Sequence, residues 1–163
     1  MDADEPEHDV TSAERLGPPV PSEAQAAAAR LPTKPDAVVL VGERVRVRPA
    51  TLDDAARLFA ISNGEPVTRL GRSIDAYDPD ELVWRFVRVG PFGSPGDYAE
   101  HLGSIIDRPD WRTFVVEDVT TGEALGSASL IANSPADLKV EIGALWCTPA
   151  VQGMGVMQEA CLL

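Results

Sequence analysis

Cysteine and histidine are scarce in this chain. The two cysteines, Cys147 and Cys161, are too few for a disulfide framework. No CxxC pair or Cys/His cluster has the spacing of a zinc site. The two histidines, His8 and His101, stand alone, so no metal site is expected. No run approaches the roughly 18 consecutive apolar residues of a transmembrane helix. Basic residues are outnumbered, with 14 Lys and Arg against 26 Asp and Glu and a net charge of −12. That sign argues against a protein built to grip nucleic-acid phosphates. It favours solubility and is compatible with a basic partner. A solvated acidic surface explains it most simply. An acidic groove that attracts a cationic substrate is the sharper alternative.

What is present is ordinary globular material: 163 residues, 44% apolar and 25% charged. One domain with a hydrophobic core fits that length. Residues 1–36 differ from the rest. They hold eight acidic residues against Arg15, Arg30 and Lys34, and six prolines. Few large apolar side chains are available there to offset the entropy of ordering. A mostly disordered acidic, Pro/Ala-rich arm is expected over 1–36, with a helical turn or two at Ala24–Arg30. The arm is too acidic for a mitochondrial transit peptide and lacks the apolar core of a secretory signal.

The folded domain is expected over 38–163. Val45 and Val47 alternate with Arg44, Arg46 and Arg48, a strand whose arginines face solvent. Thr51-Leu52-Asp53-Asp54 opens a helix, with Thr51 as cap, and Asn63-Gly64-Glu65-Pro66 ends it. Residues 64–94 look irregular, with a short helix or strand near 79–86. Ser94-Pro95 starts a second helix that should stop at Asp107–Asp110. A strand over 111–118, a turn at 120–123 and a return strand over 124–131 form the clearest hairpin. A third strand runs from Leu138 to Trp146, with Val140, Ile142 and Ala144 alternating against Glu141, Gly143 and Leu145. Thr148-Pro149-Ala150 breaks it. An apolar helix then runs from Val156 to Leu163, without a glycine cap, a basic last turn or a proline. A helix cut mid-pattern is what truncation looks like.

The informative unit is strand, glycine loop, helix, from Val140–Trp146 to Gln152-Gly153-Met154-Gly155. Glycines let backbone amides approach a phosphate closely, and the helix behind them adds its positive end. A simple tight turn is the alternative. The GxxxxGK[ST] phosphate loop is excluded, because no lysine follows these glycines. The dinucleotide fingerprint is excluded by its position at the end of the chain. Met154 and Met157 read most simply as packing at the helix start. Trp84, Trp111 and Trp146 read as core. No His or Asp pattern activates Cys147 as a nucleophile.

The element order and the Gln152-Gly153-Met154-Gly155-Val156-Met157 loop resemble the GNAT superfamily of N-acetyltransferases, with its [Q/R]xxGx[G/A] loop. Gln152 and Gly155 match the pattern; Met157 departs from it. Glu141-Ile142-Gly143, Trp146, Pro149-Ala150, Gln152 and Glu159-Ala160 resemble the RimJ/RimL-type branch. Gly42–Pro49, Gly90-Pro91-Phe92 and Thr121-Gly122-Glu123 support it. The resemblance covers roughly 38–163.

It implies an α/β (α+β) GNAT fold with a mixed, mainly antiparallel sheet. It implies an acyltransferase that moves acetyl from acetyl-CoA to a primary amine, on a protein N-terminus or a small molecule, in the cytoplasm. No metal, nucleic acid or membrane partner is implied; a basic protein N-terminus suits the acidic charge. The resemblance assigns pantetheine to the backbone of Ala144, Leu145, Trp146 and Cys147. It assigns the pyrophosphate to Gln152, Gly153, Met154 and Gly155. Glu141 is the candidate catalytic carboxylate, assisting amine deprotonation, against a plain solvent-facing strand residue. The family fold continues into a fifth strand, a helix and two more strands. Their absence here implies weak or no activity of this chain. A non-catalytic acyl-CoA-binding remnant, or an interaction module built on the acidic arm, is the alternative.

Overall fold

The computed structural model describes residues 19–163. The arm expected over 1–36 lies partly outside them. Within 19–31, α1 spans Ser22–Ala28, an alanine-rich segment with Glu23 in its first turn. That placement complements the helix dipole.

The second unit begins at Pro32. Its first residues are tied down. Asn133 donates to the carbonyls of Pro32 and Thr33, and Arg112 to that of Pro35. Lys34 donates to the carbonyl of Ile106, at the end of a helix, and to that of Arg108 just beyond it. The domain boundary read near residue 38 thus lies against a segment already bonded at 32–35.

Strands β1 (Leu40–Val41) and β2 (Val45–Pro49) form a hairpin. A 3-10 turn at Leu52–Asp54 leads into α2 (Ala55–Ala60). A small separate hairpin follows, β3 (Val67–Arg69) and β4 (Arg72–Ile74), in the stretch expected to be irregular. Asp80–Trp84 forms a π-helical turn. Helix α3 (Pro95–Ile106) is capped by Ser94, whose hydroxyl accepts from the Asp97 amide at 3.1 Å. Then come β5 (Arg112–Asp118), β6 (Ala124–Ser134) and β7 (Lys139–Cys147). A 3-10 turn at Pro149–Val151 precedes the final helix, α4 (Val156–Leu162).

The main sheet has the order β1-β2-β5-β6-β7, and all four pairings are antiparallel. Strands β1 and β7 are its two edges among the described residues. Two cores flank the sheet. On one face Val115, Ala124 and Trp146 pack with Leu58 of α2 and with Tyr98 and Leu102 of α3. On the other, Val45, Val47, Phe114, Val116 and Leu125 pack with Val156 of α4. The period-two pattern of β2 and β5 sorts side chains between these cores.

The arginines of β2 are not the solvated face expected from sequence. Arg46 and Arg48 reach across to Glu117 on β5, which is only 1% exposed. Arg48 also pairs with buried Asp54, and Arg57 of α2 bonds Glu117 at 3.1 Å. Burial alone would raise both carboxyl pKa values. Hydrogen bonds from the arginines more than offset it and hold both below the ordinary carboxylate range.

Candidate active site

Strand β7 carries the candidate site. Its alternation breaks where Ala128 of β6 faces two residues, because Ser127 pairs with Trp146 but Ser129 with Gly143. The extra residue is a β-bulge, and Ala144 sits in it with a left-handed φ of 49°. The bulge resets the side-chain order. Glu141, Ala144, Leu145 and Trp146 therefore line one cavity, although simple alternation separates Glu141 and Leu145 from Ala144 and Trp146. Gly126 permits this geometry. A Cβ there would collide with the Trp146 carbonyl and the Cys147 backbone.

The cavity holds about 330 Å³ and lies between α3 and the face of β5–β7. Its floor is Thr113, Ser127 and Ser129. Ser127 donates to the Phe114 carbonyl, Ser129 to the Thr113 hydroxyl at 3.2 Å, and the Trp111 indole to the same hydroxyl at 2.9 Å. Short side chains on the floor leave the space, and their polar atoms are bonded within it. Trp84, Tyr98 and Trp146 form an aromatic wall; the Trp84 and Trp146 rings lie 5.3 Å apart. The Trp84 indole donates to the Ser62 carbonyl, so its polar edge is used elsewhere. Trp84 and Trp146 are core residues, 3% and 7% exposed, as read from sequence, and Trp111 is half-buried; all three also border this cavity.

Glu141 is exposed and has no ion-pair partner among the described residues. Its Oε1 occupies the space over Gly143, 3.2 Å from where a Cβ would stand. Arg88 and His101 also border the cavity. Burial pushes the His101 imidazole pKa down, so the ring is neutral at pH 7. Burial pushes the Cys147 thiol up to about 11, which leaves it protonated and a poor nucleophile.

The glycine loop follows β7 after the turn at Pro149–Val151 and does not border the cavity. Gly153 has φ 77° and nothing within 4 Å of a would-be Cβ. Gly155 has φ 76° and lies beside the Arg44 guanidinium, 3.2 Å from a would-be Cβ. The Met154 amide donates to the Val151 carbonyl; the Gly153 and Gly155 amides have no acceptor among the described residues. Arginines hold the loop's carbonyls. Arg44 donates to Met154 at 2.7 Å, and Arg72 to Gln152 at 3.0 Å. The Gln152 side chain donates to the Leu82 carbonyl at 2.6 Å, anchoring the loop to the π-helical turn. Met154 and Met157 pack on the core beneath α4, as the packing reading has it. Open glycines, amides without acceptors and two nearby guanidiniums fit an anionic diphosphate.

Sequence reasoning missed the bulge and the cavity. The aromatic wall is gathered from the π-helical turn, α3 and β7, and no local pattern announces that convergence. Among the described residues, no three His, Cys, Asp or Glu side chains group to hold a metal ion.

Solved structures share this fold. A probable acetyltransferase (GNAT family) from Chromobacterium violaceum superposes with TM-score 0.66 at 22% identity, over 82% of this chain and 60% of that one. A GCN5-related N-acetyltransferase from Brucella melitensis gives TM-score 0.66 at 23% identity, over 80% and 53%. RimL, a ribosomal L7/L12 alpha-N-protein acetyltransferase solved with coenzyme A, gives TM-score 0.51 at 16% identity, over 75% and 62%. The chain thus spans little more than half the length of the first two structures. A search of curated proteins finds no match. The sequence itself matches the acetyltransferase (GNAT) domain over residues 44–163, and by that match the chain belongs to the GNAT acetyltransferase family.

Proposed function

We propose that this chain carries the acetyl-CoA and amine sites of an N-acetyltransferase, of RimJ/RimL character and cytoplasmic. One observation supports it above the others. A single strand, β7, presents a carboxylate to a partly open cavity, a bulge at the sheet edge and, one turn later, a glycine loop with two amides unbonded among the described residues.

Acetyl-CoA supplies an activated thioester. The amides of Gly153 and Gly155 hold its diphosphate, with Arg44 and Arg72 adding positive charge. The free backbone of β7 at Ala144–Cys147 takes the pantetheine in the manner of an added strand. In the cavity, Glu141 would accept a proton from the incoming ammonium, directly or through one water, freeing the lone pair to attack the thioester carbonyl; the C–S bond then breaks and CoA leaves as the thiolate, taking up the proton that the acylated nitrogen sheds. Cys147 takes no part.

The test is calorimetry with acetyl-CoA on the wild type, Gly153→Asp and Gly153→Asn. Asp and Asn both tolerate a left-handed backbone, and the position is open. The two variants therefore differ mainly in charge. Gly153→Asp should weaken binding about tenfold or more, and Gly153→Asn by about threefold at most. Equal affinities in the two variants would remove the loop from the site.

A further inference from the structure

We propose that residues 32–35 form a strap that sets the spacing of the cavity walls, with Lys34 as its positioning residue. Its consequence for the acceptor rests on the acetyl-transfer reading; the strap itself does not.

The bonds carry it. Lys34 donates to the Ile106 carbonyl at the end of α3 and to the Arg108 carbonyl just beyond. Arg112, the first residue of β5, donates to the Pro35 carbonyl at 2.9 Å. Asn133, near the end of β6, donates to the carbonyls of Pro32 and Thr33 at 3.1 and 2.6 Å. Its own backbone amide reaches the Asp110 carbonyl at 3.2 Å. A bare tether needs one such anchor, whereas this short segment reaches α3, β5 and β6 together.

Each anchor lies close to a residue that lines the cavity. Ile106 follows Ile105, Arg112 stands between Trp111 and Thr113, and Asn133 is two residues past Ile131. Helix α3 is one wall and β5 and β6 belong to the other, so the strap ties the two walls together.

The sequence of α3 explains the need for a tie. Its last turn carries no basic residue, and Asp107 occupies its C-cap. An acid at the negative end of a helix dipole is unfavourable, and the final carbonyls of a helix lack intrahelical donors. Lys34 supplies both the cation and the donors from far away in sequence. Pro32 and Pro35 flank Thr33-Lys34 and stiffen the strap. Pro32 and Thr33 are exposed and Lys34 and Pro35 half-buried, so the strap adds little to the core. Its release should loosen one end of the cavity rather than unfold the domain.

Trp111 reports on that end. It is half-buried, borders the cavity and lies under the Arg108 guanidinium at 4.6 Å. Trp84 and Trp146 are buried, so acrylamide reaches Trp111 first. The test compares the full chain with Lys34→Met, which keeps the apolar stem and removes the donors, and Lys34→Arg, which keeps donors and charge. In Lys34→Met, acrylamide quenching should rise about twofold, and amide exchange across 103–113 and at Asn133 should quicken. Its melting temperature should stay within about 4 °C of the wild type. Lys34→Arg should behave as the wild type. With n-butylamine as acceptor, thiol release from acetyl-CoA should show an amine KM about tenfold higher in Lys34→Met. Calorimetry should show an unchanged acetyl-CoA affinity, because the strap does not touch the glycine loop.

The proposal is overturned if quenching and local exchange are the same in all three proteins, or if Lys34→Arg behaves as Lys34→Met. It is equally overturned if Lys34→Met speeds exchange throughout the domain, or turns over with the wild-type amine KM. A wild type that binds no acetyl-CoA and releases no thiol sinks the acetyl-transfer reading alone. Quenching and exchange then decide the strap.

Discussion

The carboxylate of Glu159 on α4 sits in the turn that opens β2 and is clasped there by Arg44. It accepts from the Arg44 backbone amide at 2.9 Å, from Arg44 Nε at 2.9 Å and from the Val45 amide at 3.3 Å. Gly42 makes the room, because a Cβ there would collide with Glu159 Oε1. The same guanidinium donates to the carbonyls of Met154 and Gly155. One arginine thus fixes the last helix and the glycine loop to the start of the sheet. That is the physical content of two sequence-distant motifs, Gly42-Glu43-Arg44 and Glu159-Ala160.

Glu159→Ala should therefore act on the loop as well as on the helix. Arg44 loses its anchor, and the loop loses the group that holds its carbonyls in place. The expected result is a lower melting temperature, faster amide exchange across 154–162 and weaker acetyl-CoA binding. Backbone hydrogen bonding from Arg44, joined by its side chain, holds the Glu159 carboxyl below its ordinary pKa. Unchanged exchange and affinity would show that the clasp does not position the loop.

The buried acids make a second prediction. Glu117 and Asp54 sit below their ordinary pKa values when folded, so the unfolded chain takes up protons first as pH falls. The stability they contribute is present above the ordinary carboxylate range and is lost as pH drops through the depressed folded values. Glu117→Gln should cost about 2–3 kcal/mol at neutral pH, less than a fully buried ion pair because its arginines are partly exposed. Between about pH 5 and pH 2 the wild-type melting temperature should fall more steeply than the variant's. Parallel curves would show that the network carries no pH-linked stability.

Much of this architecture is legible in sequence where the signal is local. The β5–β6 hairpin follows from alternation around Thr121-Gly122, and α3 from Ser94-Pro95 before an apolar face. The β3–β4 hairpin is not legible, because its two turn residues with positive φ are Leu70 and Gly71. Leucine gives none of the Asn or Asp signal usual for such a turn. The pairing of Arg46 and Arg48 with Glu117 spans about seventy residues and needs the β2–β5 register. At the site, Glu141 and the glycine loop are visible as residue types in order. The cavity is not, because a bulge and three separate elements make it.

Glu141 should behave as a proton acceptor rather than as a structural residue. It is exposed and has no ion-pair partner among the described residues, so Glu141→Gln should leave the melting temperature nearly unchanged. Turnover should fall by about a hundredfold at neutral pH. The deficit should shrink as pH rises toward the pKa of the free amine, where the acceptor loses its proton without help. A deficit constant across pH would remove Glu141 from proton transfer.

The bulge at Ala144 offers the sharpest structural test. An alanine at φ 49° carries a cost of about 1–2 kcal/mol that glycine avoids. Glycine in turn adds about 0.5–1 kcal/mol of unfolded-chain entropy. Ala144→Gly should therefore be close to neutral in stability and keep activity. Ala144→Val places a β-branched side chain in the same left-handed backbone and should cost about 2 kcal/mol. The cheaper escape for valine is to straighten the strand. That would slip the register by one residue and turn Leu145 and Trp146 to the opposite faces. Acetyl transfer should then be lost. Equal melting temperatures and equal turnover in the valine and glycine variants would show that β7 does not depend on the left-handed residue, and the shared cavity lining of Glu141 and Trp146 would need another cause.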